Sequence, residues 1–361
     1  ALLPLHLAVS NSRVKSIQRL LAAGAEPEMR DRLGRTTLHL VITSWPRVLT
    51  TQRERDSKFE NSSRGRRMRA ETCLRLLCEH GVNINAEVTI TSGRHTALHL
   101  SVQHRAVTAI HILASHGARV NAIDSGGMTP LHMAAGLLHK DIIASLIKEG
   151  ADLNMVCVHS GNTPLHLAVV AVATKTTKTT TLDDDIGCIT ELLEHGAEVN
   201  AVNEAGMTPL QEVCNMGNVE LVDLLLRYGA NINKLSKAGE NCLFMFLNHR
   251  PNVRNSALLL KLLNLTFPLK FYNHKGHLPS TLMLPCFFKQ RDQLLKLIQQ
   301  PRKLLHICKS AIYLKHVHDK REELRKFLPH GLYAYVFNYW EDLHISFVTD
   351  DEQDLNNAFN V

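Results

Sequence analysis

One phrase recurs along the chain at a nearly fixed interval, and this recurrence restricts the possible folds more than any other feature. Its fullest form begins Thr129-Pro130-Leu131-His132 and ends Gly150-Ala151-Asp152-Leu153-Asn154. Successive positions equivalent to Pro130 are 33, 60, 33, 34, 45, 33 and 37 residues apart. These positions are Pro4, Thr37, Ala97, Pro130, Pro164, Pro209, Cys242 and, as a weak match, Pro279. A base period of 33 residues predicts a repeat architecture.

Each repeat predicts two helices joined by a turn. The Thr129 hydroxyl can accept a hydrogen bond from a free amide of the first helical turn, and Pro130 suits the first helical position. The second helix has apolar residues at helical spacing, as in Val222, Leu225 and Leu226, and runs into Gly229. A glycine there can adopt the left-handed conformation that ends a helix.

A helix pair this short cannot bury its own apolar face, so we expect neighbouring pairs to supply the core. Leu131, Leu165 and Leu210 should then lie between adjacent pairs. The period and the Thr-Pro-Leu-His phrase resemble the ankyrin repeat over roughly the first 270 residues. This resemblance implies an all-α ankyrin-repeat solenoid of about seven to eight helix-turn-helix repeats, followed by a small helical module. It also implies a protein-binding face made by the hairpin tips and first helices.

The repeat spacing predicts four segments. Ankyrin repeats occupy 1–270, with insertions near 46–69 and 174–185 that lack apolar periodicity and are expected to be mobile surface loops. A degenerate terminal repeat follows at 271–298, then a helical module at 299–340 and an acidic flexible tail at 341–361. The first repeat is cut short at Ala1, and the chain does not begin with Met, so we expect a fragment or a processed form.

The twenty-one histidines invite a metal hypothesis, but most recur at fixed repeat positions. His6, His39, His99, His132 and His166 share one position, and His80, His116 and His195 precede the helix-ending glycine. Such repetition favours packing roles, and the resemblance implies that the first set bonds to hairpin backbone. A zinc site from His306, Cys308, His316 and His318 would lack zinc-finger spacing. We predict no metal, no cofactor and no catalytic residue, because nucleophile elbows and phosphate-binding loops are also missing from the pattern.

Composition restricts the partners and the setting. The net charge is +7, and the first insertion contributes many of the arginines, but aromatic residues do not alternate with them. We therefore expect a solvated charged segment and no nucleic-acid partner. No apolar run approaches the roughly 18 residues that cross a bilayer, so no membrane span is predicted. Eight scattered cysteines without framework spacing favour a reducing intracellular location, cytoplasmic or nuclear, and we expect a monomer.

The segment after residue 300 resembles a SOCS box. Leu304, Cys308 and Ile312 are spaced four apart, which places them on one helical face, and Leu328-Pro329 matches the start of the Leu-Pro-x-Pro motif. Gly331 stands where that family has its second proline. The resemblance implies contact of Leu304 and Cys308 with the elongin adaptor pair, and of the Leu328-Pro329 segment with a cullin.

Two interpretations of this segment stay open. The apolar positions Leu304, Ile307, Cys308, Ala311 and Ile312 could form a helix that only caps the last repeat, since a solenoid needs terminal caps. They could instead bind an adaptor as well. In either case the protein is predicted to be a non-enzymatic scaffold for an unidentified protein target. The candidate contact residues on its hairpin tips are Arg32, Arg35, Ser125, His159, Glu204 and Lys237.

Overall fold

The computed structural model describes residues 3–46, 57–90, 93–175, 182–299, 304–316, 324–326, 329–337, 345 and 347. Side chains are described for these residues apart from 57–63, 89, 90, 182, 304, 305 and 316. Leu328, predicted to contact a cullin, lies outside the described residues, and Leu304 is described only as helical backbone.

The described residues are mostly helical. The helices are α1 (Pro4–Ser10), α2 (Val14–Ala22), α3 (Thr37–Thr43), α4 (Ser57–Glu79), α5 (Ala97–Gln103), α6 (Val107–Ser115), α7 (Pro130–Gly136), α8 (Lys140–Lys148), α9 (Pro164–Thr174), α10 (Leu182–Glu194), α11 (Pro209–Met216), α12 (Val219–Arg227), α13 (Cys242–Asn248), α14 (Ser256–Leu265), α15 (Phe288–Gln299), α16 (Leu304–His316) and α17 (His330–Phe337). Short 3-10 helices span Arg250–Arg254, Ser280–Met283 and Pro285–Phe287.

The first compact unit comprises residues 1–159 and 180–197. Its first helices pack in series, α1 on α3, α3 on α5 and α5 on α7, and its second helices do the same from α2 through α4, α6 and α8 to α10. Leu131 is 1% exposed, and the second-helix residues Ile110, Ile142 and Leu192 are fully buried. The core of this unit is therefore shared between neighbouring helix pairs, as the short repeats require.

The second compact unit comprises residues 160–179 and 198–361. Here α9 packs on α11 and α11 on α13, while α12 and α14 pair with α11 and α13. Leu165 and Leu210 are fully buried in this series. The helix Ser280–Met283 packs on α13, α15 packs on that helix, and α16 contacts α14 on one side and α17 on the other. The degenerate repeat and the terminal module thus continue the packing of this unit.

Helix starts follow the sequence prediction. The hydroxyls of Thr129, Thr163 and Thr208 accept the amide of the third helical residue at 3.3, 3.5 and 3.3 Å. Pro130 and Pro164 occupy the first helical position. The glycines that follow the second helices have positive φ, for example 85° at Gly150 and 81° at Gly229. A β-carbon at either position would meet no other atom within 4 Å, so the backbone conformation alone favours glycine there.

The asparagine that closes each repeat joins it to the next one. In the first unit the Asn85 amide donates to Gly117 O at 3.2 Å, and its oxygen accepts the amide of Arg119 at 2.8 Å. In the second unit Asn200 makes the equivalent pair of bonds to Gly229 and Asn231, at 3.1 and 2.7 Å. A side chain with both a donor and an acceptor is needed here, which explains the recurring asparagine.

Both insertions were predicted as loops, and the described parts of both are helical instead. Residues 57–69 form the first half of α4, and 182–185 begin α10. Arginine, lysine and glutamate are good helix formers, so a second helix can extend into solvent without an apolar face. Asp183, Asp184 and Asp185 lie in the first turn of α10, where the helix dipole favours negative charge. Residues 47–56 and 176–181 lie outside the described residues.

The predicted flexible tail begins too early at 341. Ile345 and Phe347 are 5% and 2% exposed, and the Phe347 ring lies edge-on to Phe287 at 5.2 Å. Apolar residues two apart point to the same side of an extended chain, so both can enter one core. Residues 348–361 lie outside the described residues. The sequence also gave no signal for the two-stranded antiparallel hairpin of β1 (Val88–Ile90) and β2 (Gly93–His95).

Replacing Leu131 with Ala should lower the free energy of unfolding by about 2–5 kcal/mol, because the cavity left by the side chain lies between helix pairs and cannot collapse fully. Leu137→Ala is the matched control, since Leu137 is 50% exposed on the neighbouring turn. It should change the free energy by less than about 0.5 kcal/mol. Urea denaturation followed by far-ultraviolet circular dichroism measures both, and equal effects would contradict the shared core.

Candidate functional site

Tight turns join successive repeats, and a polar side chain at the first position of each turn organises it. We call these the repeat turns; the five with this arrangement are 31–34, 124–127, 203–206, 236–239 and 273–276. Asp124 Oδ1 accepts the amides of Gly126 and Met128 at 2.8 and 2.9 Å. Asn203 Oδ1 accepts those of Ala205 and Met207 at 3.1 and 3.0 Å. The turn backbone is therefore satisfied from within.

The fourth residue of each of these turns is a glycine with positive φ, such as 70° at Gly127 and 74° at Gly206. A β-carbon on Gly127 would come within 2.5 Å of Val158, and one on Gly206 within 2.7 Å of the Lys237 amide nitrogen. Glycine is thus required both for its conformation and for the close approach of the next turn. The sequence analysis placed Ser125 on a hairpin tip but missed the role of Asp124.

Adjacent turns in each unit are hydrogen-bonded to one another. The Val158 amide donates to Gly127 O at 3.4 Å in the first unit. In the second unit Glu204 donates to Ser160 O, Lys237 to Ala205 O and His274 to Ala238 O, at 3.0, 3.0 and 2.8 Å. These bonds occupy backbone groups and leave the side chains of the turns to face solvent.

A buried histidine ties α3, α5 and α9 to the hairpin that follows each of them. In α3 the Nδ1 of His39 accepts the Thr36 amide at 3.2 Å, and Nε2 lies 3.0 Å from Ala86 O. Because Nδ1 accepts, we assign the hydrogen to Nε2, which donates to the carbonyl. His99 and His166 repeat the arrangement, with Nε2 at 3.1 and 3.0 Å from Met128 O and Met207 O. This confirms the predicted bond to hairpin backbone for His39, His99 and His166, but the prediction is wrong for His6, whose ring nitrogens have no hydrogen-bond partner among the described residues.

Burial keeps these histidines neutral. It lowers the pKa of His39 from 6.5 to about 4, and it also lowers the pKa values of His99 and His166. A proton on Nδ1 would also oppose the threonine amide that donates to it. Gln211 takes the same place in α11, accepting the Thr208 amide at 2.8 Å and donating to Lys234 O and Glu240 O at 3.1 and 2.8 Å. The position therefore requires a neutral side chain with a donor and an acceptor.

The second set of histidines has a different structural role. His80, His116 and His195 place Nδ1 within 2.7, 2.8 and 2.8 Å of the carbonyl four residues earlier, in the last turn of α4, α6 and α10. They bond to carbonyls in the last helical turn, some of which have another partner as well, such as the Leu76 carbonyl, which accepts the amide of His80 at 3.2 Å. Within the described ranges no group of three or more histidine, cysteine or acidic side chains could hold a metal ion.

The six predicted tip residues all lie in or beside turns. Arg32, Ser125, His159, Glu204 and Lys237 are exposed. Arg35 differs, because its guanidinium is half-buried and bonded to Asp31 at 2.7 and 2.8 Å. Arg35 thus stabilises its own turn, a role that the sequence analysis did not assign to it. The structure divides the six between the two units, with Glu204 and Lys237 in the second and the others in the first.

Exposed apolar side chains accompany these polar ones. In the first unit Ile123, Val156 and Val158 are 44%, 51% and 63% exposed, and in the second Val202 and Leu235 are 43% and 41% exposed. Ile123, Val202 and Leu235 each precede the polar residue that organises a repeat turn. Sequence reasoning missed them, although their recurrence just before Asp124, Asn203 and Ser236 was a usable signal. Mixed apolar and charged exposure of this kind suits a protein-binding surface.

In α16 the packing face is not the one that the apolar spacing predicted. Lys309, Ser310 and Tyr313 are buried, with the Ser310 hydroxyl donating to Asn264 O at 2.8 Å. The Lys309 ammonium lies 4.5 Å from the centre of the Tyr335 ring. Cys308, Ala311 and Ile312 are exposed instead, as is Pro329 before α17. Polar side chains can cap this unit because each finds a carbonyl or a ring as a partner.

The described residues of the chain contain no helix that is both long and apolar enough to cross a bilayer. Their eight cysteines are all free thiols, six buried and two, Cys286 and Cys308, exposed.

Ankyrin-repeat family models match three segments of the chain. The model described as an ankyrin repeat matches residues 2–32, that for three copies matches 120–178, and that for many copies matches 182–226. The crystal structure of the ankyrin repeat domain of Bcl-3, described as a unique member of the IkappaB protein family, has a TM-score of 0.53 at 25% identity. It covers 67% of this chain and 93% of that one. The fold class is therefore the predicted all-α ankyrin-repeat solenoid.

Two curated relatives cover most of the chain. The B-cell lymphoma 3 protein homolog of Mus musculus is 32% identical over 237 residues, 63% of this chain and 44% of that protein. Ankyrin repeat and SOCS box protein 16 of Homo sapiens is 25% identical over 298 residues, 66% of this chain and 65% of that protein. The matches thus span less than two thirds of either relative.

Replacing His39 with Gln should make the stability less sensitive to acid. Because the folded pKa of about 4 is below the unfolded value of 6.5, the unfolded chain binds the proton more readily, and stability falls as the pH drops from 6.5 towards 4. The glutamine can keep both hydrogen bonds, as Gln211 does, without binding a proton. Between pH 7 and pH 5 the variant should lose roughly 1–2 kcal/mol less than the wild type. Urea titrations at the two pH values measure this.

The control for that comparison is His159→Gln, at an exposed turn histidine. Its free energy of unfolding should match that of the wild type at both pH values. An unchanged acid sensitivity in His39→Gln would contradict the buried neutral role of His39.

Proposed function

We propose that this ankyrin-repeat chain is a non-catalytic scaffold that binds a target protein through its repeat turns. The observation that carries the proposal is that, in those turns, different residues hold the backbone and face the solvent. The buried Asp124 and the half-buried Asn203 satisfy the backbone of their turns, while neighbouring side chains of the same turns are exposed. Exposed residues held on an ordered backbone lose little conformational entropy on binding, which favours affinity.

The chemistry of the exposed side chains supports a protein partner. Charged residues such as Glu204 and Lys237 alternate with exposed apolar residues such as Val202 and Leu235. Apolar anchors with a polar rim are typical of protein interfaces. The free thiols favour a reducing intracellular location for this scaffold. The target is left as a protein without further identity, and neither nucleic acid nor a lipid surface is part of the proposal.

A second function, recruitment of a ubiquitin ligase, has its own support. The exposed face of α16 includes Cys308 and Ile312, four residues apart, while its opposite face packs on α14 through Ser310. Capping the last repeat therefore does not occupy the face predicted to bind an elongin adaptor. The similarity to a protein named for ankyrin repeats and a SOCS box points the same way. Under this second proposal the scaffold presents its bound target to an elongin-cullin ligase.

The scaffold proposal predicts that the repeat turns determine target affinity. Proximity labelling with the full chain in cells would nominate a target, and purified components would then give a dissociation constant. Replacing Arg32, Arg35, Ser125, His159, Glu204 and Lys237 together, with charges reversed and the others changed to Ala, should weaken binding by at least about tenfold, or 1.4 kcal/mol.

The matched control replaces four exposed cations on second helices, namely Lys15, Arg19, Lys148 and Arg227. It should leave the dissociation constant within about twofold, a difference of roughly 0.4 kcal/mol. Wild-type affinity in the turn variant, with normal circular dichroism, would exclude the repeat turns as the binding surface.

The ligase proposal predicts that elongins co-purify with the wild-type chain and not with the double variant Leu304→Ala/Cys308→Ala. The expected loss follows from removing two apolar side chains from a helix that enters a groove. Lys315→Ala, an exposed change on the same helix, should retain elongin. Absence of elongin from the wild-type sample would leave α16 as a cap alone.

A further inference from the structure

The first repeat turn borders a cavity of about 500 Å³. Its walls come from α1, α3 and the turn at 31–34, and they include His6, Met29, Arg32, Leu33 and Arg35. All of these residues belong to the first unit. A cavity of this size has room for a few side chains of a bound peptide.

The charge of the cavity is positive. Three arginines and one aspartate line it, and two of the arginines are already engaged. Arg30 donates to Gly34 O and Glu87 O at 2.7 and 2.8 Å, while Arg35 is paired with Asp31. Arg32 is exposed and has no ion pair or hydrogen bond to any described residue. Its guanidinium is therefore the group available to a carboxylate from outside.

Apolar side chains lie beside Arg32. Leu33, the next residue in the turn, is 63% exposed, and Met29 is 44% exposed. Large apolar side chains on a solvent-facing turn cost free energy unless another surface covers them. The cavity thus combines a free cation with uncovered apolar area.

A buried histidine in the cavity wall lacks the partners that its equivalents have. His6 is 1% exposed, yet neither of its ring nitrogens has a hydrogen-bond partner among the described residues. In α3, α5 and α9 the equivalent ring bonds to a threonine at the N-cap, but α1 has Leu3 there, which has no hydroxyl. A buried polar group without a partner costs about 1–3 kcal/mol. Both ring nitrogens are inaccessible from the cavity, so His6 belongs to the wall and is not counted among the contacts of a ligand.

We propose that this cavity binds a short acidic and apolar segment of a partner protein. One carboxylate pairs with Arg32, and an apolar side chain packs on Met29 and Leu33. This inference rests on the proposed scaffold function and adds the chemistry of the segment that is bound. A basic segment is excluded by the same contacts, because it would face Arg32 and two paired arginines.

The test uses the full chain and a defined probe, the fluorescein-labelled peptide acetyl-Asp-Glu-Leu-Phe-Glu-Asp-amide, followed by fluorescence anisotropy. The control peptide replaces its four acidic residues with lysine. We expect the acidic probe to bind and the lysine peptide not to bind. Arg32→Glu should weaken binding of the probe by at least about tenfold, and Leu33→Ser should weaken it by about fivefold. Both residues are on the surface, so neither change should disturb folding.

Arg19→Glu is the matched control, an exposed arginine on α2 outside the cavity lining, and it should leave probe affinity within about twofold. Equal binding by wild type and Arg32→Glu, equal binding of the two peptides, or no binding to the wild type would each overturn the proposal. A further result would also overturn the proposal: the wild-type chain does not bind the probe, but it forms a dimer in light scattering and Arg32→Glu does not. In that case the cavity binds a second copy of the chain.

The failure of this inference can be separated from that of the scaffold proposal. A variant changed only at Ser125, His159, Glu204 and Lys237 leaves the cavity intact. Suppose that this variant no longer binds a cellular target, that Arg32→Glu still binds it, and that the wild type does not bind the probe. The scaffold function is then supported and the cavity proposal is wrong. If the probe binds through Arg32 and the six-residue variant retains the target, the cavity proposal stands alone.

Discussion

The structure depends on one buried side chain at the third position of α3, α5, α9 and α11, which bonds backward to the N-cap of its own helix and forward to the backbone of the following hairpin. His39 makes both bonds in α3, and Gln211 makes them in α11. A helix pair therefore cannot complete its own polar groups, just as it cannot bury its own apolar face. Losing one such bond leaves a buried donor or acceptor unsatisfied, at a cost of about 1–3 kcal/mol. Stability and turn geometry are both supplied by the neighbour.

This dependence explains how a repeat protein can vary its binding surface. The amides of the repeat turns are held by Asp124, Asn203 and similar residues, and their carbonyls by the next turn. Exposed residues such as Glu204 and Lys237 are not needed to hold the backbone in place, so they can change without cost to the fold, whereas the Ser125 hydroxyl accepts the amide of Arg94 at 3.3 Å. Arg35 is an instructive exception, because its pairing with Asp31 makes it part of the support.

Much of the fold could be predicted because its signals are local and repeat. Thr129 and Pro130 start a helix and Gly150 ends one for reasons contained within a few residues, and the 33-residue period reports the stacking. The sequence predictions were wrong for segments whose structure depends on which side chains are exposed. The charged half of α4 has no apolar face, so its sequence resembled that of a loop. The packing face of α16 includes Lys309 and Ser310, and these polar side chains can be buried because they contact groups that lie far away in the sequence.

The candidate site was only partly accessible to sequence reasoning. The repeat spacing was enough to place residues such as Ser125 and Glu204 on hairpin tips, but the exposure of Leu33 and Ile123 depends on which side of the turn faces solvent. The cavity beside Arg32 depends on contacts among α1, α3 and a turn, and the N-cap of α1 is a leucine, which has no hydroxyl to offer His6. These features can be recognised only from the three-dimensional arrangement of the helices and turns.

The central claim is that neighbouring repeats hold the turns rigid, and amide hydrogen exchange of the free chain tests it most directly. The amides of Val158 in the first unit, and of Glu204, Lys237 and His274 in the second, donate to carbonyls of the adjacent turn. We predict protection of these turn amides close to that of the helices of the same unit. Exchange at the rate of an unfolded chain in the turns, with the helices still protected, would contradict the account.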